Sequence, residues 1–190
     1  MLNMLNISYI NQIYKMPEKA LNNFLSLTEP IVFKKGDLIF REAKAEKFIY
    51  IIQKGIARAY KTQNNQEVTF WFGIEGDTVI SIKNYVEGVN SYETIEAVED
   101  ILAYRISTDL LKKLYIEDVH VANWGRCYAE KEMLKNEERL ISRQFKSATE
   151  RYLELISSQP QIIRRVPLRY IASYLGITQV SLSRIRAELK

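Results

Sequence analysis

Residues 168–185 read LRYIASYLGITQVSLSRI, and the spacing of their small and apolar residues predicts two short helices joined by a tight turn. Ala172 is small enough to let two helices touch, and Gly176 suits the left-handed residue that ends a helix. Pro167 fits the start of the first helix. The residues that would pack the second helix back onto the first are Ile177, Leu182 and Ile185. This spacing is typical of a helix-turn-helix.

The outward side of the predicted second helix carries groups that bind nucleic acid. Its polar positions are Thr178, Gln179, Ser181, Ser183, Arg184 and Arg186. Hydroxyls, amides and guanidinium groups form hydrogen bonds with phosphates and with base edges. Thr178 also suits the helix N-cap, where a phosphate meets the positive end of the helix. The alternative is a purely structural three-helix unit, because alanine and glycine recur at this spacing by chance.

The charge of the chain is unevenly distributed. The whole sequence has 27 basic and 23 acidic residues, a net charge of +4. From Arg139 to Lys190 there are ten basic and three acidic residues, whereas the first 138 residues hold 17 and 20. This asymmetry indicates that the C-terminal part meets a polyanion, although a solvated basic face is the alternative. We assign Arg143, Lys146 and Arg169, with the outward side of the second helix, to a surface that binds double-stranded DNA.

Upstream of this region, the sequence predicts an antiparallel barrel or sandwich. Short runs of β-branched and aromatic residues are separated by turn signals such as Lys35-Gly36-Asp37. Their regular spacing is typical of all-β architecture. A short amphipathic helix is predicted before them, over Pro17–Leu27. The predicted strands cover residues 31–33, 38–40, 48–52, 56–60, 68–72, 92–95 and 101–106.

From Thr108 onward the hydrophobic period becomes helical. Thr108 is the predicted N-cap of one helix. The stretch from Val119 to Phe145 has no proline and one glycine, and its length favours a dimer helix joining two domains over a helix lying on its own barrel. The apolar residues assigned to the dimer contact are Trp124, Tyr128, Leu134 and Ile141. Ser147 and Glu150 form a capping box that begins the C-terminal domain. The predicted units are therefore 1–107, 108–145 and 146–190.

The composition excludes several classes of protein. Hydrophobic and charged fractions of 47% and 26% are those of a globular protein. One cysteine and one histidine exclude an internal disulfide framework, a four-cysteine zinc or iron–sulfur site and a multi-histidine metal site. We expect no cofactor, and the sequence shows no nucleophile–base pair that would indicate an enzyme. The N-terminus lacks the features of a signal peptide, and no apolar run is long enough to cross a membrane, so we expect a cytoplasmic protein.

These motifs together resemble the Crp/Fnr family of bacterial transcription regulators over nearly the whole chain. KKGDLIF at 34–40 and FIYIIQKG at 48–55 resemble two turns of the family's cyclic-nucleotide-binding-type barrel, and LGITQVSLSR at 175–184 resembles its helix-turn-helix. The resemblance implies an α+β fold with an N-terminal jelly-roll barrel, a long dimerisation helix and a C-terminal DNA-binding domain. It also implies a homodimer that meets RNA polymerase. The base-reading positions it implies are Thr178, Gln179, Ser181 and Arg184, and Val180 departs from the acidic residue of many relatives.

The resemblance implies an effector pocket in the barrel, at Phe72, Gly76, Asp77, Ser91 and Tyr92. No lysine or arginine lies between Lys83 and Arg105, where relatives place the arginine that binds the cyclic phosphate, and five acidic residues do. A buried phosphate without a cation is costly, so we expect an unknown effector rather than cyclic AMP. A haem would need His120 or Cys127, and we interpret His120 as a partly exposed helix residue. The alternative function is a small-molecule sensor in which DNA binding is secondary or lost.

Overall fold

The computed structural model describes residues 5–189. Residues 1–4 and Lys190 lie outside the described residues. Residues 1–4 belong to the N-terminal segment for which we expect no signal peptide, and Lys190 belongs to the C-terminal basic set. The strands are β1 Glu29–Phe33, β2 Leu38–Phe40, β3 Phe48–Lys54, β4 Ala57–Gln63, β5 Gln66–Gly73, β6 Thr78–Val79, β7 Thr94–Ala97 and β8 Ile101–Ser107. The helices are α1 Ile7–Asn11, α2 Glu18–Ser26, α3 Ile82–Glu87, α4 Thr108–Glu117, α5 Val119–Phe145, α6 Ala148–Ser158, α7 Pro160–Arg165, α8 Leu168–Leu175 and α9 Gln179–Glu188.

The strands form two antiparallel sheets that enclose an apolar core. One sheet has the order β1-β8-β3-β6 and the other β2-β7-β4-β5. Alternate residues of β4 point to opposite sides, so that Ala57 and Ala59 join the core while Arg58 and Tyr60 face outward. The predicted α+β fold, with an antiparallel barrel before a long helix and a helix-turn-helix, is confirmed. The short elements β6 and α3 were not predicted, because they are too brief to show a hydrophobic period.

The N-terminal helices and the start of α5 pack together against the barrel. The Trp124 ring lies 4.9 Å from the Phe24 ring and 5.8 Å from the Tyr128 ring, centroid to centroid. Trp124 is only 1% exposed, and the Tyr128 hydroxyl donates to the Thr78 carbonyl. The prediction that these two aromatic residues form a dimer contact is therefore wrong, since they fill the core between α5 and the barrel of their own chain.

The beginning of α4 also differs from the prediction in detail. Ser107, not Thr108, is the N-cap residue, and Thr108 is the first residue of the helix. The Thr108 hydroxyl donates to the Lys47 carbonyl at 3.1 Å, which ties the start of α4 to the residue that precedes β3. No helix in residues 5–189 combines the length and hydropathy needed to span a bilayer.

The C-terminal helices form a second core, which extends to Ile56, Phe72 and Val98 of the barrel. The capping box at Ser147 and Glu150 is confirmed by reciprocal hydrogen bonds, which satisfy free amides at the start of α6. Pro160 begins α7, an additional helix that the sequence pattern did not reveal because a proline at the first turn also suits a loop. Gly176 has φ of 69° and ends α8 as predicted. The buried residues of the two motif helices are Ile171, Ala172, Leu175, Leu182 and Ile185.

Candidate nucleic-acid interface and barrel cavity

The N-terminus of α9 is exposed and capped by the residue that the sequence predicts. The Thr178 hydroxyl oxygen accepts from the Ser181 amide at 3.1 Å and lies 2.9 Å from the Ser181 hydroxyl oxygen. Leu182 and Ile185 point into the core, whereas Gln179, in the first turn, and Arg184 are both exposed to solvent. Val180 is also exposed, which adds an apolar contact to an otherwise polar surface.

The three predicted phosphate contacts lie on different elements and are all exposed. Arg169, at the start of α8, stacks on the Tyr170 ring at 4.7 Å and donates to its hydroxyl at 2.9 Å. Arg143, near the end of α5, extends to the turn between α8 and α9. Its Nη2 lies 3.8 Å from the point that a Cβ atom would occupy if Gly176 had a side chain. Lys146 pairs with Glu154 at 3.0 Å, so it must exchange that partner to meet a phosphate.

Two arginines of the C-terminal basic set are used inside the protein. Arg165 binds the carboxylates of Glu75 and Glu99 on the barrel, with an Nη2–Oε1 distance of 2.6 Å to Glu75. The hydrogen bonds that Arg165 donates to Glu75 and Glu99 raise the pKa of Arg165. Arg151 donates to the carbonyls of Lys146 and Leu175, at the end of α5 and of α8. A count of charge along the sequence does not distinguish these two arginines, which bind protein groups, from the exposed basic residues of the same region.

The C-terminal domain is docked on the outer side of the β2-β7-β4-β5 sheet. Arg58 of β4 is 1% exposed and forms ion pairs with Glu67 and, at 2.7 Å, with Glu96. Its guanidinium group lies 3.6 Å from the centroid of the Tyr170 ring in α8. Burial alone would lower the pKa of Arg58, but hydrogen bonds to Glu96 and Glu67 outweigh it and raise the pKa.

Hydrogen bonds and ring contacts extend the same docking interface. The Ser173 hydroxyl accepts from the Thr69 amide and donates to the Glu67 carbonyl, each at 2.9 Å. The Phe72 and Tyr174 rings lie 5.2 Å apart, centroid to centroid. The helix-turn-helix is therefore held against the barrel by charge, by a hydroxyl bridged to the β5 backbone and by aromatic packing.

The inner side of the same sheet faces a cavity of about 370 Å³. A β-bulge between β4 and β5 places the consecutive residues Phe70 and Trp71 in its wall. Tyr92 and Glu93 line it just before β7, and α5 closes it with Tyr128, Glu132, Asn136 and Arg139. The volume is that of a site for a small organic ligand.

Most of the predicted effector residues do not line this cavity. Only Tyr92 does. Phe72 alternates to the outer side of the sheet and packs on Tyr174, and the buried Ser91 hydroxyl donates to the carbonyls of Arg41 and Lys44. Gly76 and Asp77 belong to the turn before β6, where the Asp77 carboxylate accepts from the Ile74 amide at 2.9 Å. The sequence did not predict Trp71, Glu93 or the α5 residues as part of the cavity wall. Their positions there depend on a β-bulge and on a helix that is distant in sequence.

No three histidine, cysteine, aspartate or glutamate side chains among the described residues lie close enough together to hold a metal ion. His120 is partly buried, and its Nδ1 lies 3.2 Å from the Tyr14 hydroxyl. Cys127, about two turns further along α5, is a free thiol of intermediate exposure.

Comparison with known proteins agrees with this architecture. Residues 30–118 match the family profile of the cyclic nucleotide-binding domain. FixK2 from Bradyrhizobium japonicum has a similar structure, with 22% identity, a TM-score of 0.72, and coverage of 85% of this chain and 84% of FixK2. A proposed regulator of the crp/fnr family from Eubacterium rectale gives 16% identity and a TM-score of 0.72 over 94% of this chain and 85% of its own. The chain has a Crp/Fnr-type fold.

A third similar structure is that of a regulator described as responsive to c-di-GMP. The c-di-GMP-responsive global regulator CLP of Xanthomonas campestris is 15% identical, with a TM-score of 0.69 over 91% of each chain. No curated protein matches the chain. At these identities the Crp/Fnr-type fold is shared, while effector and target must be argued from the residues of this chain.

Proposed function

We propose that this protein is a homodimeric, sequence-specific DNA-binding transcription regulator, acting in the cytoplasm, whose barrel senses a small-molecule effector. The observation that carries the proposal is the exposed N-terminus of α9, capped by Thr178 and bearing Gln179 and Arg184 on a basic domain. The units proposed for sensing, linking and DNA reading are those predicted from the sequence, 1–107, 108–145 and 146–190. We assign no catalytic residue.

The geometry supports a direct reading of base edges by α9. A helix entering the major groove contacts bases with the residues of its first turns. Gln179 presents an amide suited to adenine and Arg184 a guanidinium suited to guanine, while Thr178 and Ser181 approach the adjacent phosphate. Arg143, Lys146 and Arg169 flank this helix from α5 and α8, so we propose that they fix its register by phosphate contacts.

The second half of α5 supports a homodimer. Besides Phe145 at its end, it exposes two pairs of apolar side chains, Met133 with Leu134 and Leu140 with Ile141. The two pairs repeat at an interval of seven residues, which is the period of helices that pack along a shared seam. We therefore keep Leu134 and Ile141 as dimer residues and add Met133 and Leu140. A two-fold axis along α5 would place the two α9 helices about 34 Å apart, one turn of DNA.

The DNA-reading role is tested with an operator selected from random DNA and an electrophoretic shift assay. Arg184→Ala should weaken binding to that operator by about 1–3 kcal/mol and relax the base preference at one position. Arg143→Ala should weaken all sequences alike and reduce the salt slope by about one unit. Arg105→Ala on the barrel is the control and should change neither. Unchanged operator affinity in Arg184→Ala would show that α9 does not read DNA, and a failure to select any operator would favour the alternative of a sensor without DNA binding.

The dimer is tested by light scattering at micromolar concentration. We expect a mass of twice the 22.2 kDa of the chain, and a monomer for the double variant Leu134→Glu with Ile141→Glu, because two charges would be buried in the seam. Val86→Glu, at an exposed apolar position on α3, should leave the dimer intact. A monomer in the unaltered protein would overturn this part of the proposal.

A further inference from the structure

Glu93 is a buried carboxylate in the cavity wall whose charge is not balanced by the protein. It is 3% exposed and lines the cavity. One carboxylate oxygen accepts from the Tyr92 amide at 3.2 Å, and no ion pair to Glu93 occurs among residues 5–189. An ionised group removed from water without a cation costs several kcal/mol. The cavity therefore favours an occupant that brings a positive charge.

The other acidic side chain of the cavity wall is already paired. Glu132 pairs with Lys135 at 2.8 Å, and Lys135 also lies 3.6 Å from Asp77. Arg139 donates to the Phe70 carbonyl at 3.2 Å. Among the described lining residues, this leaves Glu93 as the carboxylate available to a ligand, with the Arg139 guanidinium on the α5 side of the same wall.

The uncharged part of the wall also suits a cation. Four aromatic rings line the cavity, those of Phe70, Trp71, Tyr92 and Tyr128. The rings of Phe70 and Tyr92 are stacked, with their centroids 6.3 Å apart. Aromatic faces attract ammonium and guanidinium groups. The Thr78 hydroxyl is almost wholly buried beside the same wall and has no hydrogen-bond partner among the described residues, so its oxygen is free to accept a hydrogen bond.

We infer that the barrel cavity binds a small organic cation, an ammonium or guanidinium group on an apolar body, with Glu93 as its counter-ion. The rings enclose the apolar body, and the Thr78 hydroxyl accepts a hydrogen bond from the charged group. The inference rests on the proposed sensing role of the barrel. Because Tyr128, Asn136 and Arg139 of α5 form one wall, the ligand would contact the helix that carries the proposed dimer seam.

The test measures binding of matched probes to the full-length protein by titration calorimetry. The cationic probes are phenethylammonium, agmatine and benzyltrimethylammonium, the neutral probe is 2-phenylethanol, and the anionic probe is cyclic AMP. Phenethylammonium and 2-phenylethanol have almost the same shape, so a difference between them reports charge. We expect at least one cation to bind saturably, and phenethylammonium about 10- to 100-fold more tightly than 2-phenylethanol, as for a charge-assisted hydrogen bond.

Two variants assign the effect to the cavity. Glu93→Gln keeps the shape and should reduce cation binding by about 10- to 100-fold. Tyr92→Leu removes one ring and should reduce it by about 3- to 30-fold, which keeps the test decisive if the first variant folds poorly. Glu87→Gln, at an exposed carboxylate on α3, is the control and should bind as the unaltered protein does.

The result that overturns the inference is the absence of saturable binding of all three cations up to about 10 mM, equal binding of the charged and neutral probes, or low-micromolar binding of cyclic AMP. Operator binding is measured separately on the same samples. A protein that binds the cations but no operator would retain this inference and lose the DNA-reading proposal, and the reverse result would do the opposite.

Discussion

The two sides of the β2-β7-β4-β5 sheet treat buried charge in opposite ways. On the outer side, the enclosed Arg58 pairs with the mostly buried Glu96 and the exposed Glu67, and an aromatic ring from the C-terminal domain covers it. On the inner side, Glu93 is buried and forms no ion pair within the part of the chain that the structure describes. A buried charge with ion-pair partners completes a protein interface, whereas a buried charge without such a partner, in the wall of a cavity, suits a ligand of opposite charge. The alternation of side chains along an extended chain separates the two carboxylates: Glu93, just before β7, lines the cavity, whereas Glu96 within β7 faces outward.

The largest effect is expected on the balanced side. Arg58→Met should lower the free energy of unfolding by about 3–5 kcal/mol, because it leaves Glu96 buried without its cation. Urea denaturation at neutral pH measures this loss. The matched control is Arg105→Met, since Arg105 pairs with the exposed Glu29 at 2.7 Å and should contribute less than about 1 kcal/mol. Equal losses in the two variants would show that the Arg58 cluster does not differ from a surface ion pair.

A smaller effect is expected where the docking interface is partly exposed. Arg165→Ala should lower the free energy of unfolding by about 1–2 kcal/mol and increase proteolytic cleavage after α5, because it releases α7 from the barrel. Arg164→Ala, at the neighbouring exposed position, is the control and should change neither. Cleavage that does not increase in Arg165→Ala would mean that the Arg58 cluster alone holds the domains together.

The Arg165 contact also predicts a pH dependence. Burial opposes ionisation of Glu75, but the hydrogen bond from Arg165 and the Gly55 amide lower its pKa below the ordinary value of 4.5. A carboxyl group with a lowered pKa stabilises the folded state above its unfolded pKa, and that stability is lost as the pH falls through the folded value. The unaltered protein should therefore lose docking below about pH 4.5, and Arg165→Ala should lose less over that range. A parallel acid profile in both proteins would contradict this assignment.

The sequence predicted the elements with strong local signals, and it missed what depends on packing across the chain. The capping box at Ser147, the left-handed Gly176 and the α5 bounds all follow from short-range rules, and the structure has them at the predicted positions. The packing partner of Trp124 could not be predicted, because an apolar helix face has the same sequence pattern whether it packs on a barrel or on a second chain. The roles of Arg58 and Arg165 depend on carboxylates that are distant in sequence, so a count of charge cannot reveal them.

The smallest effect is expected on the unbalanced side, and its sign distinguishes the two kinds of buried charge. Without ligand, Glu93→Gln removes an uncompensated carboxylate and keeps the hydrogen bond from the Tyr92 amide, since the glutamine side chain also has an acceptor oxygen. The free energy of unfolding should therefore stay constant or rise by about 1 kcal/mol, in contrast to the loss expected in Arg58→Met. Urea denaturation in ligand-free buffer measures it, with Glu87→Gln as the control. A loss above about 1 kcal/mol would show that Glu93 has a structural partner, and the case for a cation in the cavity would then fail together with the contrast between the two sides of the sheet.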